Sequence, residues 1–251
     1  RAADRGTGTI RPRTEHLRPF IKSVQAKPLP QVAHQDLIRF AGEKEWSRAY
    51  RRSMYTSLAQ FFRWAHGEGL IEEDPSIHLP SVRPSKNHGR PASEDGYWNA
   101  WARARPREAM MLELASTLGL RRAEVAVVHR RDIIREVHSW MLVVHGKGDK
   151  RRHLPIDEAL ALRLLAACET ETGWLFPGKK EGHLSPQRVG NLISHLLPTG
   201  ETMHSLRHRF AAVYYEATGD VRVVQETLGH ENLNTTQLYL PVSVPRMVSA
   251  L

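Results

Sequence analysis

Residues 138–156, HSWMLVVHGKGDKRRHLPI, carry the pattern that sets the fold class of this chain. HSWMLVVH is a strand-like run, GKGD has the glycines of a tight turn, and KRRHLPI is a second strand-like run. The segment therefore predicts a β-hairpin. Because the patterns on both sides of it are helical, we expect a mainly α chain whose second domain is mixed α+β with a small antiparallel sheet.

The helical patterns have three-to-four spacing of apolar residues. They are clearest in 46–66, where one stripe is formed by Tyr50, Met54, Leu58, Phe61, Phe62 and Ala65. Another helix is predicted over 31–43. Beyond residue 92 the predicted helices are 93–104, 107–119, 157–168, 185–197, 203–218 and 220–228, with one short helix from about Val242.

A proline-rich stretch separates the two groups of helices. Pro75, Pro80, Pro84 and Pro91 come within 17 residues, and helices do not continue through proline at that density. We interpret 75–91 as an extended linker. The predicted domains are thus a helical domain at 1–74 and a second domain at 92–251.

Charge and composition narrow the function classes. Lys and Arg number 36 against 27 acidic residues, and residues 1–90 alone hold 16 basic and 9 acidic residues, a balance of +7. A basic amino-terminal part suggests a surface that meets a polyanion, with a solvated basic face as the alternative. Cys168 is the single cysteine, which excludes an internal disulfide and fits a reducing cytoplasm. No apolar run approaches the roughly 20 residues that span a bilayer.

Two short segments have residues suited to phosphate. In Gly119–Glu124, GLRRAE, Arg121 at a helix boundary presents a planar fork to two oxygens, and Glu124 could orient it. In Gly146–Arg152, GKGDKRR, the glycines let Lys147 project from the turn. The second segment lacks the spacing and the following helix of a nucleotide-binding loop, so that function is excluded. Taken singly, a surface Arg–Glu pair and an ordinary basic turn remain alternatives.

Two further segments lie near the carboxyl end. HSLRH puts His204 and Arg207 on one helix face, and His208 raises the question of a metal. A zinc protease would need Glu where Ser205 stands, so we expect no metal. In LGHENLNTTQLY, Tyr239 follows His230 by nine residues. A lone tyrosine is normally a packing residue, and its phenol is a poor nucleophile without help.

In this order the four segments resemble the catalytic signature of the tyrosine recombinases, the phage integrases and bacterial Xer proteins. All six catalytic positions of that signature match. The resemblance extends over the chain, because residues 51–76, RRSMYTSLAQFFRWAHGEGLIEEDPS, are similar to the end of the family's core-binding domain. It implies an N-terminal helical core-binding (SAM-like) domain and a mixed α+β catalytic domain. One departure, Asp74 where Asn is common, touches no chemistry.

The resemblance also implies roles for the residues. Tyr239 would attack the scissile phosphate and form a 3′-phosphotyrosine, while Lys147 protonates the leaving 5′-oxygen and His204 accepts the tyrosine proton. Arg121, Arg207 and His230 would contact the phosphate, with Glu124 and His208 in support. Neither metal nor cofactor is expected. The expected partner is double-stranded DNA at core attachment sites, bound by a homo-tetramer that acts through a Holliday junction. The candidate DNA contacts are Arg48, Arg51, Arg52, Lys150 and Arg151.

Biological context is the remaining expectation. We favour a phage- or mobile-element-encoded integrase in the cytoplasm of a bacterial host, with an accessory directionality factor as a further partner. A chain complete at residue 1 would have no room for an arm-binding domain. The alternatives are an Xer-type resolution recombinase, a type IB topoisomerase-like enzyme and a non-catalytic DNA-binding regulator.

Overall fold

A computed structural model describes residues 7–24, 27–83, 90–146, 148 and 150–229. The chain divides into two compact units, Arg1–Asn87 and His88–Leu251. Within the described ranges both units are mainly helical, and a three-stranded antiparallel sheet lies in the second. The predicted fold class, mainly α with a small sheet in a mixed α+β domain, is confirmed. The domain limits 1–74, 75–91 and 92–251 stay a prediction.

The described part of the first unit is built on helices α1 (Thr7–Ser23), α2 (His34–Gly42) and α3 (Arg48–Gly67), with a 3-10 turn at Leu29–Gln31. Ser47 caps α3 by accepting the backbone N–H of Tyr50 at 3.3 Å. The predicted stripe of α3 is buried at Met54, Leu58, Phe62 and Ala65, but Tyr50 is 40% exposed. The four buried residues share one hydrophobic cluster with Phe20 of α1 and with Leu37 and Phe40 of α2, so the stripe forms part of the core of the unit.

The first residues of the predicted linker are not extended. Pro75 to His78 form a turn, and the Asp74 carboxylate accepts the backbone N–H of Ser76 at 2.8 Å. Ser76 is buried, and Leu79 packs on the core of the first unit. An aspartate before a proline favours such a turn because its short side chain reaches the backbone two residues on.

The second unit carries the remaining described elements. Its helices are α4 (Glu94–Arg103), α5 (Pro106–Thr117), α6 (Arg122–Ala126), α7 (Glu158–Ala167), α8 (Pro186–Ser194), α9 (Met203–Thr218) and α10 (Val221–Leu228). Its strands are β1 (Ile133–Arg135), β2 (Trp140–His145), β3 (Arg151–Ile156) and β4 (Pro177–Lys180). The short helix predicted from about Val242 lies outside the described residues. None of the described helices is long and apolar enough to cross a membrane.

The hairpin forms where the sequence predicts it. β2 and β3 pair antiparallel, from Trp140 opposite Ile156 to His145 opposite Arg151. Alternate residues turn Leu142, Val144, Leu154 and Ile156 into the core, where α7 packs on the sheet. β1 adds a third strand beside β2 that the sequence patterns do not predict. The hairpin thus has one buried face, which fixes its register.

Helix α5 runs through the centre of the second unit. Met111, Leu112, Leu114 and Ala115 are fully buried, and α8 and α9 pack against this helix. The helix ends at Thr117, and the chain after it passes from the core to the surface within a few residues. This exit places the GLRRAE segment beside α9, where Gly119 lies close to Arg207 and Phe210.

Candidate active site

Gly119 makes the exit from α5 possible. Its φ is +62°, in the left-handed region that favours glycine, and a Cβ there would lie 2.5 Å from Cδ1 of Phe210. Leu120 is then fully buried, and Arg121 emerges at the start of α6 with its side chain 40% exposed. The sequence therefore places a guanidinium at the edge of the core in a fixed backbone setting.

Glu124 is the centre of the charged cluster. Its carboxylate accepts the backbone N–H of Arg121 at 2.8 Å and the Nη1 of Arg121 at 2.7 Å. Both Nη atoms of Arg152 donate to it at 2.9 Å, in a two-point pair. Nη1 of Arg207 lies 3.9 Å away. With its side chain 3% exposed, Glu124 joins three guanidiniums from three different elements.

The cluster keeps Glu124 ionised. Burial by itself would raise the pKa of this carboxyl group. The hydrogen bonds and charge of Arg152, with the backbone N–H and charge of Arg121, outweigh burial and hold the pKa below its ordinary value. Among the described residues, this cluster joins one carboxylate to three arginines, and its net positive charge suits an anionic ligand.

Arg207 is the most deeply buried member of the cluster, at 1% exposure. Its Nη2 donates to the carbonyl oxygen of Leu228 at 2.6 Å, and its Nη1 donates to the carbonyl oxygen of Gly119. It thereby ties α9 to the segment that precedes Arg121 and to the end of α10. Thr202 caps α9 by accepting the backbone N–H of His204 at 3.2 Å.

His204 and His208 stack edge to face on α9, with ring centroids 4.6 Å apart. Partial burial lowers the pKa of His204, and the charges of Arg207 and Arg121 lower it further. The imidazole of His204 is therefore neutral at neutral pH and able to accept a proton. His208 is buried. Within the described ranges no group of three or more His, Cys, Asp or Glu side chains could hold a metal ion.

The end of α10 also contacts the arginines of the cluster. Gly229 follows Leu228 with φ +64°, and Nη2 of Arg121 donates to its carbonyl oxygen at 3.4 Å. Nε of Arg152 donates to the carbonyl oxygen of Thr227 at 2.9 Å. Three of the six predicted catalytic residues, Lys147, His230 and Tyr239, lie outside the described residues. The described part of the site is thus the cluster around Glu124 together with His204.

Comparison with known proteins identifies the family of the chain. The phage integrase family matches residues 94–245, more than half of the chain. The chain belongs to this family of tyrosine recombinases. The match includes all four segments of the predicted signature.

Relatives agree with the family assignment. Tyrosine recombinase XerC of Alcanivorax borkumensis is 33% identical over 207 residues, 74% of this chain and 66% of the relative. Tyrosine recombinase XerC of Corynebacterium efficiens is 31% identical over 232 residues, 84% of this chain and 73% of the relative. The chain thus spans about two thirds of the length of the first relative.

The fold of this tyrosine recombinase is also known from solved structures. A lambda integrase tetramer bound to a Holliday junction aligns with a TM-score of 0.75 and 18% identity, covering 96% of this chain and 74% of that one. At 18% identity, the similarity shows a shared fold and nothing further.

The predicted DNA-contact residues of the recombinase fall in two places. Lys150 and Arg151 are exposed on the hairpin. Arg48 and Arg52 are exposed on α3, whereas Arg51 is partly buried and its Nη2 lies 3.4 Å from the carbonyl oxygen of Lys44. A contact of any of the five with DNA stays a prediction.

Arg152 is the residue that the sequence interpretation missed. Alternation along β3 puts it on the same face as Leu154 and Ile156, which are buried. An arginine on the core face of a strand needs a buried partner, and that is the signal that could have singled it out. Its partner, Glu124, is 28 residues earlier in the chain.

Proposed function

We propose that this tyrosine recombinase cleaves and rejoins DNA at specific sites through a covalent intermediate on Tyr239. The observation that carries the proposal is the convergence of Arg121 and Arg207 on Glu124, with the neutral imidazole of His204 on the same helix as Arg207. Phosphoryl transfer needs groups of this kind, cations that are held in place and a base near the nucleophile.

The steps of the reaction are those that the family resemblance implies. The phenolate oxygen of Tyr239 would attack the phosphorus, and the bond to the 5′-oxygen would break. The proton of Tyr239 passes to His204, and Lys147 gives a proton to the departing 5′-oxygen. The 5′-hydroxyl of another strand reverses these steps, so the energy of the broken bond is kept in the phosphotyrosine.

The arginines would stabilise the charge that grows on the non-bridging oxygens. Arg121 is the more accessible of the two, and its planar fork suits two phosphate oxygens. Arg207 would stabilise the phosphate from its buried position, and its bonds to carbonyl oxygens keep its side chain from reorganising during the reaction. His230 would add a hydrogen bond to the phosphate, and His208 would support His204 from within α9.

The proposed partners are duplex DNA and further copies of the chain. The solved lambda integrase tetramer is bound to a Holliday junction, and the shared fold supports the same kind of assembly here. We propose four protomers on two core sites, with the exposed arginines of α3 and the hairpin on phosphates. A directionality factor and a phage or mobile-element origin are part of the proposal. Xer-type resolution is the second candidate, favoured by the XerC relatives.

A selection followed by a recombination assay tests this function. Nicked duplexes with a randomised central sequence are incubated with the protein, and those that stay bound after denaturation in detergent are sequenced. The sequence recovered most often, here termed the selected duplex, is then placed twice on one supercoiled plasmid. A recombinase yields exchanged products. Relaxed plasmid alone would indicate a topoisomerase-like enzyme, and no covalent capture at all would indicate a non-catalytic regulator.

A further inference from the structure

Arg152 has three anchor points inside the protein. Its Nη1 and Nη2 each donate to one oxygen of Glu124 at 2.9 Å, and its Nε donates to the carbonyl oxygen of Thr227 at 2.9 Å. The side chain is 14% exposed. Neighbouring Lys150 and Arg151 are exposed, so Arg152 differs from them in environment although all three are basic. The guanidinium of Arg152 therefore binds groups of the protein itself.

Arg152 and its two partners, Glu124 and Thr227, belong to three segments that carry or adjoin candidate catalytic residues. β3, which bears Arg152, begins four residues after Lys147 in the sequence. Glu124 holds Arg121. Thr227 comes three residues before His230 in the sequence. One side chain therefore connects the hairpin, the start of α6 and the end of α10.

The backbone at the end of α10 is shaped to receive this side chain. Gly229 has φ +64°, and a Cβ there would lie 3.3 Å from both Cδ and Nη1 of Arg152. The glycine thus serves two needs, a left-handed helix end and the close approach of the guanidinium. This packing is independent of the hydrogen bonds to Glu124.

We propose that Arg152 is a positioning residue of the cleavage site. It fixes the positions of the hairpin and of the end of α10 relative to Arg121. It acts through the fit of its planar fork and not through its charge on DNA. Lysine keeps the charge but lacks the fork that reaches both Glu124 oxygens and the Thr227 carbonyl at once. The proposal rests on the recombinase function, because it concerns the geometry of that reaction.

The test uses the full chain and the selected duplex in nicked form, so that cleavage is trapped. Arg152→Lys and Arg152→Met are compared with wild type for the cleavage rate at saturating protein, DNA affinity and thermal unfolding. The matched control is Arg163→Met. Arg163 also makes a two-point pair that joins two elements, with Glu113, but on an exposed face of the second unit with its side chain 51% exposed.

We expect both Arg152 variants to cleave about 100-fold more slowly once bound, because a misplacement of about 1 Å costs that much. DNA affinity should stay within about 3-fold of wild type, and Arg163→Met should match wild type in both. Wild-type cleavage by Arg152→Lys would overturn the proposal, as would a loss confined to DNA affinity. If Arg152→Met fails to fold, Arg152→Lys decides. If wild type itself forms no covalent adduct, it is the recombinase function that fails.

Discussion

Replacing Glu124 with glutamine should destabilise the second unit strongly without leaving a cavity. Glutamine has the same shape, so the change isolates charge and hydrogen bonding. The carboxylate accepts four N–H groups at 2.7 to 2.9 Å from Arg121 and Arg152, and Arg207 lies at 3.9 Å. The amide would turn one acceptor into a donor that faces other donors. It would also leave three buried or half-buried cations without their shared anion.

Removing one partner from a buried ion pair costs about 3–5 kcal/mol. For a chain of this size each kcal/mol lowers the melting temperature by about 2–4 °C, so Glu124→Gln should melt roughly 6–20 °C below wild type. Calorimetry at neutral pH measures the change. Glu113→Gln is the control. It breaks the exposed pair with Arg163 and should cost no more than about 1 kcal/mol.

The stability difference between wild type and Glu124→Gln should also depend on pH, in a direction that the pKa shift of Glu124 sets. The pKa of Glu124 is lowered in the folded protein, so its stabilising charge is fully present above the ordinary value of 4.5 and is lost as pH falls through the folded pKa. The gap between wild type and Glu124→Gln should therefore be constant above that value and shrink in acid. A difference under about 1 kcal/mol at neutral pH would refute the assignment of Glu124 as the centre of the cluster.

Three further predictions concern the site and the first unit. The wild-type cleavage rate should not change with pH near neutrality and should fall only in acid, because burial and then Arg207 and Arg121 lower the pKa of His204 below 6.5. His204→Gln should remove this loss of rate in acid. A wild-type rate that already falls above pH 6.5 would contradict the proton-acceptor role. Gly229→Ala should cost about 1–2 kcal/mol in urea unfolding for its left-handed backbone, and unchanged stability would contradict the strain. Arg52→Ala should reduce the slope of log affinity against log salt by about 1 in mobility-shift titrations, and an unchanged slope would remove it from the DNA contacts.

The helices were predictable where an apolar stripe marks a buried face. α3 and α9 lie within two residues of the predicted 46–66 and 203–218, because their spacing is regular. Thr7–Ser23 has no such prediction, since Pro12 and Pro19 inside it argue against a helix. β1 is three residues long and gains its stability from pairing with β2, which no local pattern reports.

The site was predictable residue by residue but not as a network. The spacing of Arg121 and Glu124 already indicates that the carboxylate orients the guanidinium, and the structure has that contact at 2.7 Å. That Arg152 and Arg207 share the same carboxylate depends on how β3 and α9 pack, which is a property of the tertiary fold. The sequence therefore predicts DNA contacts for Lys150 and Arg151 but gives no role to Arg152, whose buried partner is Glu124.

The nucleophile is the central claim, and mapping the covalent adduct tests it most directly. Wild type is trapped on the nicked selected duplex, digested, and the nucleotide-bearing peptide is sequenced by mass spectrometry. We predict that the nucleotide is attached to Tyr239 and that Tyr239→Phe forms no adduct. An adduct on another residue, or one that persists in Tyr239→Phe, would contradict the account.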